Sequence, residues 1–195
     1  RWEYLGEPIG SGVVPFSNLE FRRITDEEIK SFDNIKQGND FGYATDPMAF
    51  VRIHYDSKKR MLYFIDEIYG VKMSIRELAS KIKLKKYDDF SVTCDASEPR
   101  SIAELREYGI KATRAKKGPG SVEFGENWLD DLEAIVIDSK RTPNTAREFE
   151  NIDYQTDRDG NTISKLEDKD NHSIDATRYA LENEMKVKNN IQVFK

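Results

Sequence analysis

Three aspartates stand out because of where they sit. Asp40 lies within Gly38-Asn39-Asp40-Phe41-Gly42, inside a strand-like run. Asp95 follows Val92-Thr93-Cys94 at the end of another, and Asp175 closes His172-Ser173-Ile174-Asp175 at the start of the last helical pattern. A charge on an apolar strand is costly unless it has a partner. Three such carboxylates, brought together, would make a site for a hard cation, because magnesium and manganese prefer carboxylate oxygens. That is chemistry suited to cutting or moving phosphodiesters.

Each residue also has a plainer reading. A glycine inside a strand marks the close approach of a ligand or of another backbone. Asp40 is therefore either a metal ligand with room beside it for a phosphate, or an edge-strand Asp before a turn. Asp95 occupies a common active-site position, the carboxyl end of a strand just before a helix. It could instead cap that helix, although Ser97 could do so equally well. Glu98 reads as a first-turn carboxylate favoured by the helix dipole. His172 and Asp175 are three apart and share a helix face, which Tyr179 continues. Such a pair can supply one metal ligand and one group that orients water or phosphate; the alternative for His172 is a solvated helix end. His54, mid-strand, reads as structural. Asp66 and Glu67 could join an acidic site or simply end a strand in solvent. Lys116 and Lys117, beside Gly118-Pro119-Gly120, could contact a phosphate backbone, as could Arg100 and Arg114. A solvated basic loop is the competing reading.

The elements that must position these residues follow from period and punctuation. Residues 1–34 read as an irregular lead-in, broken by Pro8, Gly10, Gly12 and Pro15, with a short helix opening at Asp26-Glu27-Glu28. Runs at 35–43, 48–55 and 61–69, joined by tight turns, predict an antiparallel meander. Ser74 and Glu77 form a capping box for a helix carrying Ile75, Leu78, Ala79 and Ile82. Strand and helix then alternate: a strand at 90–94, a helix over 97–108, a short strand at 110–115, a helix over 122–134, a strand at 135–137 and a helix over 142–151. Asp157-Arg158-Asp159-Gly160-Asn161 between 152–156 and 162–166 predicts a hairpin. A final helix spans 173–187. The fold class is α/β: a mixed five-stranded sheet, three antiparallel strands and then alternating elements, flanked by helices. The expected division is a 1–34 lead-in, a 35–187 domain with the hairpin near 152–166, and a 188–195 tail.

Bulk properties narrow the function. The 195 residues are 37% hydrophobic and 34% charged, with net charge −5. That is enough for one domain with its own core. The acidic balance argues against tight, self-sufficient nucleic-acid binding, which relies on Lys and Arg at phosphates. One cysteine excludes a disulfide framework and favours an intracellular setting. No run of about 18 apolar residues exists to span a membrane. A chain opening on Arg1 is expected to be a piece of a longer protein.

With these residues in view, the chain resembles the nuclease domain of the large terminase subunit of tailed bacteriophages, in its Bacillus-phage branch. The likeness rests on Gly-Asn-Asp-Phe-Gly-Tyr-Ala-Thr-Asp-Pro at 38–47, Cys-Asp-Ala-Ser-Glu-Pro at 94–99, and His-Ser-Ile-Asp-Ala-Thr-Arg-Tyr-Ala at 172–180. It implies an RNase H-like fold, with Asp40, Asp95 and Asp175 as an acidic triad and His172 close by. It implies two divalent cations, manganese or magnesium, and endonucleolytic cutting of concatemeric viral DNA in the cytoplasm of the infected bacterium. The partners it implies are double-stranded DNA, an ATPase domain of the same polypeptide, the small terminase subunit and the portal. The 152–166 hairpin would lie near the site and control DNA access. Arg1–Gly12 is similar to the segment that follows the ATPase domain in such proteins; no Walker-type glycine loop is present.

Other functions stay open on the sequence. A junction resolvase of the same fold would prefer four-way junctions. A non-catalytic docking domain would tolerate substitution of all three aspartates. An ATP-handling domain of the actin-like kind would need a second sheet domain that this length does not provide.

Overall fold

The computed structural model describes residues 14–42, 45–116 and 118–186. Nine strands and six helices follow one another among them: β1 (Leu19–Phe21), α1 (Asp26–Lys30), β2 (Ile35–Asp40), β3 (Met48–Asp56), β4 (Met61–Gly70), α2 (Ile75–Leu84), β5 (Val92–Cys94), α3 (Pro99–Glu107), β6 (Ala112–Arg114), α4 (Ser121–Asp130), β7 (Ala134–Ile137), α5 (Pro143–Asn151), β8 (Tyr154–Thr156), β9 (Thr162–Leu166) and α6 (His172–Lys186).

The main sheet runs β1-β7-β4-β3-β2-β5-β6. The expected meander is its centre, with β2, β3 and β4 antiparallel and a bulge between Arg52 and Ile53. β5 adds parallel to β2, β6 to β5, and β7 lies parallel to β4 and β1. The sheet thus has seven strands rather than the expected five. The two edge strands, β1 and β6, are only three residues each. The short strand expected at 110–115 is β6, though the count of five did not include it, and β1 carries too little alternation to announce itself; short edges also protect a sheet from pairing with another chain.

The stretch 14–34 is part of the domain core rather than an irregular lead-in. Phe16 is 3% exposed and Ile24 is fully buried. Asn18 ties this stretch down by donating its side-chain amide to the carbonyls of Leu129 and Leu132. The helix expected over 122–134 ends at Asp130, because Ala134 is already needed in β7.

Alternation along β3 sorts the core into two layers. Val51, Ile53 and Tyr55 face Trp128, Phe149, Ile174 and Leu181, contributed by α4, α5 and α6. Met48 and Phe50 face Leu78, Ile82, Ile102 and Leu105 of α2 and α3. Helices therefore cover both sides, as an α/β sheet requires. Among the described residues no helix is long and apolar enough to cross a membrane.

α6 packs across β2, β3 and β5. Its approach to β2 is so close that a Cβ on Gly38 would stand 1.9 Å from the Ala176 carbonyl oxygen. A Cβ on Gly42 would meet the Pro47 carbonyl oxygen at 2.1 Å. Of the two readings of these glycines, the backbone-approach one holds. They make room for a helix and a turn.

Candidate active site

The topology brings the three aspartates to one end of the sheet. β2 and β5 are parallel, with Asn39 opposite Cys94, so Asp40 and Asp95 leave neighbouring strands side by side. The Asp95 N–H donates to the Asn39 carbonyl at 3.1 Å, fixing that relation. Asp175 lies in the first turn of α6, one residue before the Ala176 that covers Gly38. The Gly38 contact therefore sets how near Asp175 comes to Asp40.

Electrostatics reports the convergence. Asp40 is largely buried, and its pKa is pushed from 3.8 to about 6. Burial is the main cause; the nearby charges of Asp175 and Asp95 raise it further, while a hydrogen bond with His172 opposes them. The Tyr179 hydroxyl feels the same group: burial, then Asp175, Asp40 and Asp95, push its pKa up. Burial and neighbouring like charges thus disfavour the ionised form of Asp40, a penalty that a bound cation would relieve.

Each carboxylate has a local donor on the protein side. Asp40 Oδ2 lies 3.1 Å from His172 Nδ1. Asp95 accepts the Ser97 N–H at 3.0 Å and the Ser97 hydroxyl at 2.6 Å. Asp175 Oδ1 accepts from Arg178 Nη2 at 2.7 Å. Neither Asp95 nor Ser97 caps α3; its N-cap position is Glu98, which makes no side-chain capping bond. Among the described residues no three His, Cys, Asp or Glu side chains are preassembled as a metal cage. Turned towards these donors, the carboxylates keep apart. As a donor set they still suit a hard cation, being all oxygen and all anionic.

The sequence-predicted residues divide clearly. His172 is not a solvated helix end: its side chain is 17% exposed and bonded to Asp40, which raises the imidazole pKa. Asp40, Asp175 and His172 line one open polar cleft of about 460 Å³ with Thr45, Asp46 and residues 168–171. Lys116 and Asp175 line a second, more apolar cleft with Arg178 and Tyr179. Arg114 is exposed at the end of β6, in register with Cys94 and so beside the strand that carries Asp95. Arg100 is exposed in the first turn of α3. Lys117 lies outside the described residues. Asp66 and Glu67 have other work. Asp66 bonds Lys85 and Tyr87, and Glu67 accepts the N–H groups of Asn144 and Thr145 at the start of α5. His54 is 6% exposed and stacked on Phe32, in keeping with a structural role.

Two supporting residues escape a sequence reading. Arg178, buried with its charge on Asp175, stands three residues along the same helix, and that spacing was the available signal. Glu148 sits almost fully buried in α5. It accepts the Ser173 N–H at 2.5 Å and the Tyr69 hydroxyl at 2.7 Å, so it satisfies the amino end of α6 just where His172 begins. Nothing in local periodicity marks such a long-range bond.

The family model for the terminase RNase H-like domain matches residues 40–183, a span that contains all three aspartates and His172. The chain belongs to the terminase RNase H-like domain family. The large terminase subunit of Bacillus phage SPP1 is 60% identical over 190 residues, covering 95% of this chain and 45% of that protein. The PBSX phage large terminase subunit of Bacillus subtilis strain 168 is 30% identical over 147 residues, covering 75% and 34%. This terminase domain thus spans less than half the length of the curated relatives it matches. The crystal structure of the SPP1 large terminase nuclease domain with bound manganese superposes with a TM-score of 0.86 at 58% identity, covering 88% of this chain and 99% of that one. The fold is RNase H-like, as the resemblance implied.

Proposed function

We propose that this chain is the nuclease domain of a large terminase subunit, a divalent-metal-dependent endodeoxyribonuclease that cuts concatemeric viral DNA during genome packaging. The observation that carries the reading is that two parallel strand ends and a helix start bring Asp40, Asp95 and Asp175 to the same end of the sheet. The manganese bound by the SPP1 domain supports it.

Asp40, Asp95 and Asp175 would hold two cations, manganese or magnesium, with Asp40 at the centre between its two neighbours. When bound, the ions would activate water for in-line attack on phosphorus and stabilise the leaving 3′ oxygen. His172 holds the Asp40 carboxylate, and Arg178 holds Asp175. Lys116 and Arg114, exposed near the carboxylates, would steady the DNA backbone, with Arg100 and Lys117 further candidates. The net charge of −5 makes these contacts weak in sum. Tight engagement would come from the ATPase domain of the same polypeptide, the small subunit and the portal, in the host cytoplasm. The hairpin of β8 and β9, anchored on α4 through buried Leu166, would control access.

The test is incubation of supercoiled plasmid with the protein in manganese, magnesium or EDTA, beside Asp95→Ala. Metal-dependent nicking and linearisation, lost in the variant, is the expected result. Cutting that survives both EDTA and the variant would overturn the proposal.

A further inference from the structure

Asp175 stands on a ridge between two clefts of different character. On one side lies the polar cleft shared with Asp40 and His172. On the other is a cleft of about 200 Å³ lined by Val122 and Phe124 of α4, Tyr179 and Met185 of α6, and the buried side chain of Arg178. Apart from Asp175 and Lys116 at its edge, the lining of this second cleft takes no part in the proposed chemistry.

Its walls are apolar by construction. Gly125 lets α4 lie directly against Arg178: a Cβ there would come within 2.9 Å of Arg178 Cδ. The aliphatic stem of Arg178 thus becomes wall, while its guanidinium is spent on Asp175. Phe124 is 45% exposed and Val122 40%, both at the mouth. The half-exposed ring of Phe124 leaves an aromatic face available beside the site. The polar rim is Lys116, Ser121 and Glu182, and Glu182 Oε2 accepts the Lys116 N–H at 2.6 Å.

Charge decides what fits. The charges lining it balance, Asp175 against Arg178 and Glu182 beside Lys116, so the cleft favours neither an anion nor a cation. A flat, uncharged group with a polar edge suits it: an aromatic face to stack on and a carboxylate to receive an amino group. Nucleobases have this character, and carboxylates accept from the exocyclic amine of cytosine.

We infer that the cleft between α4 and α6 is a base subsite, receiving one nucleobase beside the scissile phosphate and stacking it at Phe124. The inference rests on the nuclease reading above, since it places the phosphate at the carboxylates. It gives the domain a means of gripping a distorted or unpaired strand end without net positive charge. Glu182 would favour an amino-bearing base over thymine.

The experiment walks a single 2-aminopurine through a fluorescein-labelled oligonucleotide, with calcium in place of a cutting metal. Anisotropy of the fluorescein reports binding; 2-aminopurine emission reports stacking. One position should be quenched by the wild-type protein, remain quenched with Phe124→Trp and lose its quench with Phe124→Ala. Binding with no position-specific quench, or equal quench in Phe124→Ala, overturns the subsite and leaves the nuclease standing. Failure to bind DNA at all overturns both. In manganese, an abasic residue at the quenched position should slow cutting by roughly 5- to 100-fold in wild type, the loss expected for one stacked base, and add little in Phe124→Ala.

Discussion

Two sets of carboxylates sit on the same sheet and are treated in opposite ways. Asp138, just past β7, accepts the N–H groups of Ile24 at 2.9 Å and Lys140 at 3.0 Å. Burial works against its charge, but these donors and Arg141 outweigh it and hold its pKa below the ordinary value. Glu67 takes four hydrogen bonds from Asn144 and Thr145. Asp40 receives far less. Among the described residues its side chain bonds His172, and burial pushes its pKa up to about 6. Carboxylates that hold the fold together are satisfied from within the chain. Asp40, at the candidate site, is left under-compensated, so that a cation from outside can complete it.

The sharpest way to break this comparison is to remove each kind. Asp40→Ala, Asp95→Ala and Asp175→Ala should each reduce metal-dependent cutting at least about a thousandfold, roughly 4 kcal/mol of barrier. Circular dichroism and cooperative unfolding should be retained. If all three variants lose cooperative melting, the aspartates are structural and the contrast fails.

Glu67→Ala and Asp138→Ala should do the reverse. Each strands buried or half-buried N–H groups, at a cost of about 3 kcal/mol. In a domain of this size that lowers the melting temperature by about 5–10 °C. At temperatures where the variants remain folded, cutting should continue at near the wild-type rate. A variant that melts normally but no longer cuts would move its residue into the site.

A third substitution sharpens the point, because the same logic makes Asp40 a burden on the metal-free fold. Its folded-state pKa is raised from 3.8 to about 6. The folded state therefore holds a proton that the unfolded state has released between about pH 4 and pH 6. Stability falls as pH rises through that window, by at most about 3 kcal/mol. Asp40→Asn removes the penalty. In EDTA at pH 7.5 it should melt several degrees above wild type, and the gap should close near pH 4. Thermal melts across pH 4–8 check this; an Asn variant less stable than wild type at pH 7.5 would contradict the assignment of strain to Asp40.

Much of this was legible in the sequence, and the reasons for the rest are physical. The β2–β4 meander announced itself by long alternating runs, and the β8–β9 hairpin by Asp157 and Gly160, which sits at φ +82°. The aspartates were visible because each is out of place on an apolar element. β1 escapes a sequence reading because three residues of an edge strand show no period, while β6 reads as a strand at 110–115 whose place in the sheet only the fold shows. The contribution of Gly38 was half legible: a glycine in a strand signals an approach, but only the fold shows that the visitor is Ala176. Arg178 was signalled only by its i,i+3 spacing from Asp175, and Glu148 acts through partners 79 and 25 residues away that the chain brings close only when folded.

His172 tests the finest part of the comparison, whether one donor on Asp40 matters. It begins α6, whose amino end Glu148 holds by the Ser173 N–H, and its imidazole reaches Asp40 Oδ2. The hydrogen bond with Asp40 raises the imidazole pKa, against the effect of burial. Because it orients a carboxylate that keeps its two neighbours, His172→Ala should slow cutting only about tenfold, roughly 1.4 kcal/mol. It should also shift the manganese titration to higher concentration, as loss of a group that orients a ligand does. His172→Asn, which can still donate a hydrogen bond from its amide, should recover part of both. An unchanged rate and an unchanged titration would mean that the Asp40 carboxylate is held by the sheet alone, and that the histidine only fills the space between helix and strand.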